Sequence, residues 1–390
     1  MSSMARPWGV VQIRMPGMDA ILVAAVVVLI AFGIVMVASA SMHLGERSGD
    51  QLRFVNRHLF ALALGGALGA VVFMTPSQWW HRASTVLYFI GLGLLLLVFV
   101  PGLGREANGA LRWVAAGPLS LQTSEFMKIF IVLYMAGYLV RRQLEVAHSV
   151  WGFVKPILLL VLACAALMMQ PDFGTTAVLL MTAFGMLFLG GAPLWQFASL
   201  LALAISALVG LVWVSPYRLE RITVFLDPWQ YAQDAGYQLT LALIAFGRGE
   251  WTGVGLGNGI QKQFYLPEAH TDFVMAVIGE EFGLLGTLLV IAMFGLIVWR
   301  AYAIGARAEA RGDRFSAYVA YGLGLWIGMQ AFINIGVNVG MLPTKGLTLP
   351  FLSYGSNSMI VCCMAIGILL RIRYENRTAE SGKEGQWQRA

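Results

Sequence analysis

A single aspartate stands where a polar segment of the sequence meets a long apolar run. Asp272 lies in PEAHTDF at 267–273, and the apolar run continues from it to Trp299. In the first turn of a helix, the positive end of the helix dipole favours an ionised carboxylate. Such a carboxylate can take up a proton as a general base, although it can also serve only as a helix cap. Asp272 is therefore the candidate catalytic base.

Glu268 and His270 share this segment with Asp272. His and Asp at this spacing can ligate a metal, but a protein metal site needs a third ligand, and the sequence does not supply one. We therefore predict no metal site at this segment. We assign Glu268 and His270 as residues that support Asp272.

Charged side chains also interrupt the apolar runs, where a charge is costly and usually faces a cavity or a partner. They are Arg57, Glu125, Lys128, Glu280 and Glu281. Glu280 lies about 80° around a helix from Asp272 and roughly 12 Å deeper. We predict that Glu280 faces the same cavity as Asp272 and supports it, whereas Glu281 points to nearly the opposite side. Glu125 and Lys128 have helical spacing and can instead neutralise each other.

Basic residues recur in the segments that flank these acids. They are Arg57, Arg218, Arg221, Arg248, Lys262 and Lys345, with Lys128 in the fourth apolar run. Arg and Lys suit a diphosphate or another phosphorylated head group. A candidate base surrounded by cations predicts a site for an anionic, lipid-linked substrate.

Apolar helices must position these residues. The chain has 390 residues, of which 58% are hydrophobic and 12% charged, and a soluble domain carries about twice that charged fraction. Runs of roughly 17–25 residues, long enough to cross the hydrocarbon core, recur along the chain. The sequence therefore predicts an all-α polytopic membrane protein with about ten transmembrane helices, at 18–41, 54–74, 83–100, 123–140, 156–169, 175–190, 194–214, 272–299, 317–340 and 356–370.

The predicted spans divide the chain into a lead at 1–17, a membrane domain at 18–372 and a disordered tail at 373–390. A long loop at 215–271 joins spans seven and eight, and a loop at 341–355 joins the last two. Segments on one side of the membrane hold 15 Lys and Arg residues, against 10 on the other, four of them in the long loop. Because cytoplasmic loops are rich in Lys and Arg, both termini are predicted to be cytoplasmic.

The same bias explains the net charge of +6, so no nucleic acid partner is predicted. The three cysteines, Cys164, Cys362 and Cys363, all fall in apolar runs. Cysteines in that setting are packing residues. The site that contains Asp272 is then predicted to open on the outer face of the inner membrane.

Several ordered motifs resemble those of the SEDS family (shape, elongation, division and sporulation). They are QPDFGT at 170–175, GYQLTLALIAFGRGE at 236–250, PEAHTDF at 267–273, IGEEFG at 278–283 and MLPTKGLTLP at 341–350. Within the family, the segment at 244–273 is similar to the cell-division member rather than the elongation member. One departure is SYGSNS at 353–358, where the family commonly has SYGGSS, so Ser356 and Asn357 receive no catalytic role.

The resemblance implies a peptidoglycan glycosyltransferase that polymerises lipid II into β-1,4-linked glycan strands at the division septum. It implies Asp272 as the catalytic residue. Arg57, Lys128 and Lys345 would bind the lipid diphosphate, together with Arg248. Mg²⁺ or Mn²⁺ on the diphosphate is compatible with this chemistry. The implied partners are lipid II, the nascent glycan, a class B penicillin-binding protein bound through its transmembrane helix, and other membrane proteins of the division complex.

Two other interpretations remain open from the residues. A lipid II flippase or other transporter would place polar residues along a path through the bilayer, near discontinuous helices. Glu280 and the break at 170–174 agree with that interpretation, and the charge on the outer face does not. The second alternative is a non-catalytic scaffold of the division complex, which leaves the acid with its surrounding cations unexplained.

Overall fold

A computed structural model describes residues 19–47, 49–107, 110–116, 119–202, 206, 225–234, 236–263, 266–343 and 346–387. Within these residues it has eleven helices for which both end residues are defined, and three short strands. The helices are α1 (Ala20–Arg47), α2 (Arg53–Met74), α3 (Ser77–Leu97), α4 (Thr123–Arg141), α5 (Gln143–His148), α6 (Val150–Met169), α7 (Phe173–Leu189), α8 (Tyr237–Gly249), α9 (Val274–Ala310), α10 (Arg314–Asn338) and α11 (Ser356–Trp387). Residues 194–202 are also helical.

The predicted class, an all-α polytopic membrane protein, is confirmed. Eight of the described helices are long and apolar enough to cross a membrane, and α7 is a shorter apolar helix. The predicted span at 194–214 begins with a helix at 194–202, and most of its remainder lies outside the described residues. The count of ten therefore stays a prediction.

A small antiparallel sheet occupies part of the segment between α3 and α4, where the sequence predicted only a loop. Its strands are β1 (Gly104–Ala107), β2 (Ala110–Ala116) and β3 (Leu119–Gln122), in the order β1-β2-β3. Val114 of β2 pairs with Gly104 on one side and Leu121 on the other. The alternating side chains of ALRWV in β2 fit a strand with one face covered.

Helix α6 is longer than predicted. It begins at Val150 and contains Pro156, whereas the sequence predicted a span that starts at the proline. Proline cannot donate to the carbonyl four residues earlier, and here that carbonyl belongs to Gly152. The Tyr138 hydroxyl of α4 donates to it instead over 2.8 Å. A side chain from a neighbouring helix therefore allows the proline inside the span.

Helix α9 is broken at Gly283, which has φ 62° and ψ −157°. The segment after α8 fills the break. The amides of Leu284 and Leu285 donate to the carbonyls of Glu250 and Trp251 over 2.9 and 3.1 Å. Because only glycine readily adopts this backbone conformation, the position of Gly283 determines where the outer segment enters the helix.

Helix α11 continues to Trp387, so residues 373–387 are helical where the sequence predicted a disordered tail. Contacts made by polar residues hold the early part of this extension. Arg371 pairs with Glu375 one turn later at 2.7 Å, and Asn376 donates to the carbonyl of Ile304 on α9. The amino-acid composition of the tail cannot predict such contacts between its polar side chains and a neighbouring helix.

The core is built around α4, most of which is buried. It packs against α3, α7 and α10. Helices α2 and α11 approach closely, and a Cβ added to Gly69 would lie 2.8 Å from the carbonyl oxygen of Cys363. Small residues at helix contacts permit such an approach in membranes. This packing places the segments before α9 and α11 side by side at one end of the bundle.

Candidate active site

Asp272 lies in the turn immediately before α9, and its side chain is half-buried. The cap position of α9 is Phe273, and no side chain caps that end. Among the described residues, no hydrogen bond or ion pair reaches the Asp272 carboxylate. Asp272 is therefore not a helix cap, and its carboxylate is available to a ligand.

Two asparagines of α10 fix the main chain of Asp272. Asn334 and Asn338 donate to its carbonyl oxygen over 2.9 and 3.0 Å. Asn338 also accepts from the amide of Ala276 over 3.1 Å. These buried side-chain amides bond main-chain groups on both sides of the start of α9. They hold the turn, and hence the carboxylate, against α10.

The loop before α11 covers one side of the carboxylate. A Cβ at Gly346 would lie 2.9 Å from the Asp272 Oδ2 atom, and one at Gly174 would lie 2.6 Å from Leu347. Glycine at these two positions lets three segments meet: QPDFGT, PEAHTDF and the loop at 341–355. The sequence predicted a role for each motif, and the structure brings them together.

The pKa of Asp272 is raised to about 7, first by burial and then by the negative charge of Glu268. Asp172 raises the pKa further, and Arg112 lowers it. A group with a pKa near neutrality can both accept and release a proton at physiological pH. The environment of Asp272 is therefore suited to a general base.

Among the described residues, Arg112 is the cation whose charge lowers the pKa of Asp272, and it was not among the predicted site residues. It projects from β2, and its guanidinium donates to the carbonyls of Gln170 and Pro171 over 3.1 and 2.6 Å. These bonds attach the sheet to the start of α7. The only signal in the sequence was an arginine within a segment predicted as loop, so the position of Arg112 could not be found without the sheet.

Lys128 of α4 is 1% exposed, and its ammonium group pairs with Glu125 at 2.8 Å. It also donates to the Gln330 side chain over 2.9 Å and lies 5.4 Å from the centre of the Trp326 ring. The alternative of mutual neutralisation with Glu125 is thus the observed arrangement. Gln330 in turn donates to the carbonyl of Thr348 over 2.9 Å, so Lys128 supports the loop beside Asp272.

Arg57 of α2 is exposed and has no ion pair among the residues that the structure describes. Its neighbour His58 faces inward, near a group of aromatic rings formed by Phe54, His270 and Tyr354. The His270 ring lies 5.1 Å from Phe54 and 5.5 Å from Tyr354. Arg57 therefore emerges from a helix that packs against the segment of Asp272.

His270 is buried, and burial lowers its pKa. Its carbonyl accepts from the amide of Tyr354 over 2.9 Å, so the residue joins the segment before α9 to the segment before α11. Glu268 is exposed and accepts from the hydroxyl of Thr271 over 2.7 Å. Glu268 raises the pKa of Asp272 through its negative charge. Among the described residues no group of three or more His, Cys, Asp or Glu could hold a metal.

Glu280 was predicted to face the same cavity as Asp272, but its described contacts are all with the outer segment and α8. Its carboxylate is fully buried, pairs with Arg248 at 3.1 Å, and accepts from the amides of Ile260 and Gln261 over 2.9 and 3.1 Å. The guanidinium group of Arg248 is therefore already paired with Glu280. The pair organises the outer segment that enters the break in α9.

Glu281 was predicted to point to nearly the opposite side of the helix from Asp272, and its carboxylate lies near that of Glu280. Both carboxylates lie beside Gly259 of the outer segment: a Cβ atom added to this glycine would lie 2.9 Å from a Glu280 oxygen and 3.1 Å from a Glu281 oxygen. Glu281 pairs with Lys262 at 2.5 Å and accepts from Ser39 of α1 over 3.0 Å. The outer segment thus contacts both glutamates beside the break in α9. Lys345, the remaining predicted cation, lies outside the described residues.

Comparison with known proteins places this arrangement in a family. A family model described as "Cell cycle protein", for FtsW, RodA and SpoVE, matches residues 19–378. A protein of Allochromatium vinosum named "Probable peptidoglycan glycosyltransferase FtsW" is 56% identical over 354 residues, 90% of this chain and 89% of its own length. A protein of Methylomonas methanica with the same name is 51% identical over 358 residues, 92% of each chain.

Comparison with solved structures gives the same result as comparison with sequences. One, described as "Structural coordination of polymerization and crosslinking by a peptidoglycan synthase complex", superposes with a TM-score of 0.77 at 30% identity, covering 93% of this chain and 99% of that chain. The rod shape determining protein RodA of Thermus thermophilus superposes with a TM-score of 0.68 at 27% identity, covering 93% and 98%. The resemblance to the SEDS family is confirmed: the chain belongs to the FtsW, RodA and SpoVE family of cell cycle proteins.

Proposed function

We propose that the protein is a peptidoglycan glycosyltransferase that polymerises lipid II at the outer face of the inner membrane during cell division. Membership of the family and the names of the relatives support the activity class. The observation that carries the proposal is the Asp272 carboxylate, which is half-buried, unpaired among the described residues and has a pKa of about 7. No helix-capping bond and no ion pair within the described part of the chain accounts for it.

In the proposed reaction, Asp272 takes the proton of the acceptor sugar's 4-hydroxyl as that oxygen attacks the anomeric carbon of the donor. The bond from that carbon to the diphosphate oxygen breaks at the same centre, and undecaprenyl diphosphate leaves with the bonding electrons. One displacement inverts the anomeric carbon, which converts the α-linked donor into a β-1,4-linked product. A positioned base contributes a factor of about 10²–10⁴ to such a step.

Cations must stabilise the leaving diphosphate, and preorganised cations can contribute several kcal/mol. We assign this role first to Arg57, which is exposed and has no ion pair among the described residues, and to Lys345. Arg112 acts on Asp272 by its charge. Lys128 and Arg248 are given positioning roles, because each is engaged by a buried glutamate.

We further propose that both termini are cytoplasmic and that the protein works at the septum. Its partners would be the nascent glycan, a class B penicillin-binding protein bound through its transmembrane helix, and other membrane proteins of the division complex. The superposition on a chain from a peptidoglycan synthase complex supports the second partner. A divalent cation such as Mg²⁺ or Mn²⁺ would be bound by the substrate's diphosphate, and no residue is assigned to it.

A lipid II flippase is the second candidate, because α9 is discontinuous at Gly283 and transporters use discontinuous helices at their binding sites. The break, however, is filled. The amides of Val254 and Gly255 donate to the carbonyls of Glu280 and Glu281 over 3.0 and 3.1 Å, and both glutamates have basic partners. These contacts favour a structural role for the break.

Labelled lipid II supplied in detergent separates the two functions, because detergent permits polymerisation but has no leaflet to cross. The complex with the partner transpeptidase is purified and its products are resolved by gel electrophoresis. A polymerase yields a ladder of glycan chains. Unchanged lipid II, together with partner-dependent transport of lipid II in vesicles, would contradict the proposed activity.

A further inference from the structure

A second polar site lies at the end of α9 opposite to Asp272. There α7, α9 and α10 line an open-sided cavity of about 430 Å³. Aromatic side chains and one carboxylate make up most of its wall. The residues that matter to its chemistry are Leu189, Trp299, Tyr302, Tyr318, Tyr321 and Glu309. None of them takes part in the proposed glycosyl transfer.

Glu309 is exposed, and one of the two oxygens of its carboxylate is engaged. The Tyr321 hydroxyl donates to its Oε2 atom over 2.8 Å. Its other oxygen accepts no hydrogen bond and forms no ion pair within the part of the chain that the structure describes. The ring of Tyr321 lies 5.2 Å from that of Tyr302. An oriented acceptor beside aromatic rings favours a cationic group with N–H donors, because the faces of such rings attract cations.

The cavity extends from the end of one span towards the layer of lipid head groups. Leu189 is the last residue of α7, and Trp299 is 57% exposed, as is typical of tryptophan at a membrane interface. Glu309 lies further along α9 by about 15 Å, at 1.5 Å per residue. A ligand with an apolar part at Leu189 and Trp299 and a cation at Glu309 would fill this length.

We propose that this cavity binds the ammonium head group of an aminophospholipid, such as phosphatidylethanolamine, in the leaflet opposite to Asp272. The ammonium donates to the unpaired Glu309 oxygen and lies against the tyrosine rings. The glycerol and acyl parts contact Leu189 and Trp299. A lipid is favoured over a basic peptide because the bilayer places head groups at this depth at high local concentration, and because Leu189 and Trp299 give part of the cavity an apolar lining.

The test is native mass spectrometry of the full chain in detergent, titrated with three lipids that carry the same acyl chains. These are phosphatidylethanolamine, its N-acetylated form, which lacks the positive charge, and phosphatidylglycerol. The wild-type protein should retain phosphatidylethanolamine at least about fivefold more than the other two, as expected for a cation bound by rings and a carboxylate. Glu309→Gln should remove the preference, and Tyr321→Phe should weaken it.

Glu145→Gln is the control, since Glu145 is a partly exposed carboxylate in α5 that does not line this cavity and is paired with Arg142 and Lys155. It should keep the wild-type preference. Equal retention of the three lipids by the wild-type protein would overturn the proposal without any variant. So would an unchanged preference in Glu309→Gln, or Glu309-dependent binding of a lysine-rich peptide without a preference among the lipids.

Discussion

The side chain of Asn334 donates a hydrogen bond to the main-chain carbonyl oxygen of Asp272 over 2.9 Å. Asn338, one turn later on α10, donates to the same oxygen over 3.0 Å. The proposed base is thus held through its backbone by a neighbouring helix, and its carboxylate has no hydrogen bond or ion pair with any residue that the structure describes. Catalytic groups need positions fixed to a fraction of an ångström, and α10 supplies that constraint.

Replacing both asparagines by alanine should therefore slow polymerisation. The turn before α9 would lose both bonds to the Asp272 carbonyl, and small displacements of a catalytic group can cost roughly a hundredfold in rate. We expect kcat to fall by about ten- to a hundredfold in Asn334→Ala/Asn338→Ala, with a smaller change in KM. The rate of lipid II consumption measures this. A folded double variant with the wild-type rate would show that α10 does not position the base.

The pH dependence of the rate should follow the carboxylate of Asp272. Its pKa is about 7, and the base must be ionised, so kcat/KM should rise with pH up to about 7 and then level. Glu268 raises this pKa by its negative charge. Glu268→Gln should therefore move the rising part of the profile to lower pH, as measured by initial rates across a pH series.

Glu250→Gln is the control for that profile, because Glu250 is another exposed carboxylate of the outer segment and does not act on the pKa of Asp272. Its profile should match the wild type. A profile that is flat between pH 5 and 8, roughly the window around the expected pKa, would contradict the assignment of a base with a raised pKa.

The raised pKa of Asp272 also predicts that removing the charge of its carboxylate increases the free energy of unfolding. Below the ordinary pKa of 3.8 the group is protonated in both the folded and unfolded states, so it has no effect. Above about 7 the folded state holds an ionised carboxylate that burial disfavours, so the free energy of unfolding is reduced. Asp272→Asn should therefore melt at a higher temperature than the wild type at pH 8, with a smaller difference near pH 5. A lower melting temperature at pH 8 would contradict the burial of an uncompensated charge.

The buried pair of Lys128 and Glu125 should behave as a unit. Removing one partner of a buried ion pair costs about 3–5 kcal/mol, because the other charge is left uncompensated. We expect Lys128→Met and Glu125→Gln each to lower the melting temperature, and the double variant to recover part of the loss. Strictly additive effects in thermal unfolding would show that the two side chains do not depend on each other.

Gly283 should not tolerate a side chain. A Cβ there would lie 2.5 Å from the amide nitrogen of Gly253, and alanine disfavours its backbone angles. Gly283→Ala should cost more than about 3 kcal/mol and reduce the yield of folded protein in size-exclusion chromatography. Gly295→Ala is the control in the same helix, since a Cβ there meets nothing within 4 Å. Equal yields of the two variants would contradict the role given to the break.

The sequence predicted most of the membrane spans because their signal is local. Runs of apolar residues determine where a span lies, and Asp272 was found from its place at the edge of such a run. The fold's irregularities were missed for the opposite reason. The start of α6 before Pro156 depends on a hydroxyl from Tyr138, and the break at Gly283 depends on the outer segment that fills it. Both contacts join residues that are distant in the sequence.

The same limit applies to the candidate site. Residue type suggested a set of cations around Asp272, but type alone does not show which cations are already paired. Glu125 engages Lys128 and Glu280 engages Arg248, whereas Arg112 was overlooked because the strand that carries it was not expected. Pairing is a property of the packed helices, so the sequence could identify the members of the site and not their separate roles.

The most direct measurement compares Asp272→Asn with Glu268→Gln in the purified complex with the proposed partner transpeptidase, supplied with labelled lipid II in detergent at pH 8. Both changes replace a carboxylate by an amide in the same turn, and only the first removes the proposed base. Asp272→Asn should form no glycan polymer although it folds and binds the partner, while Glu268→Gln should polymerise. Polymer formation by Asp272→Asn at the wild-type rate would contradict the account.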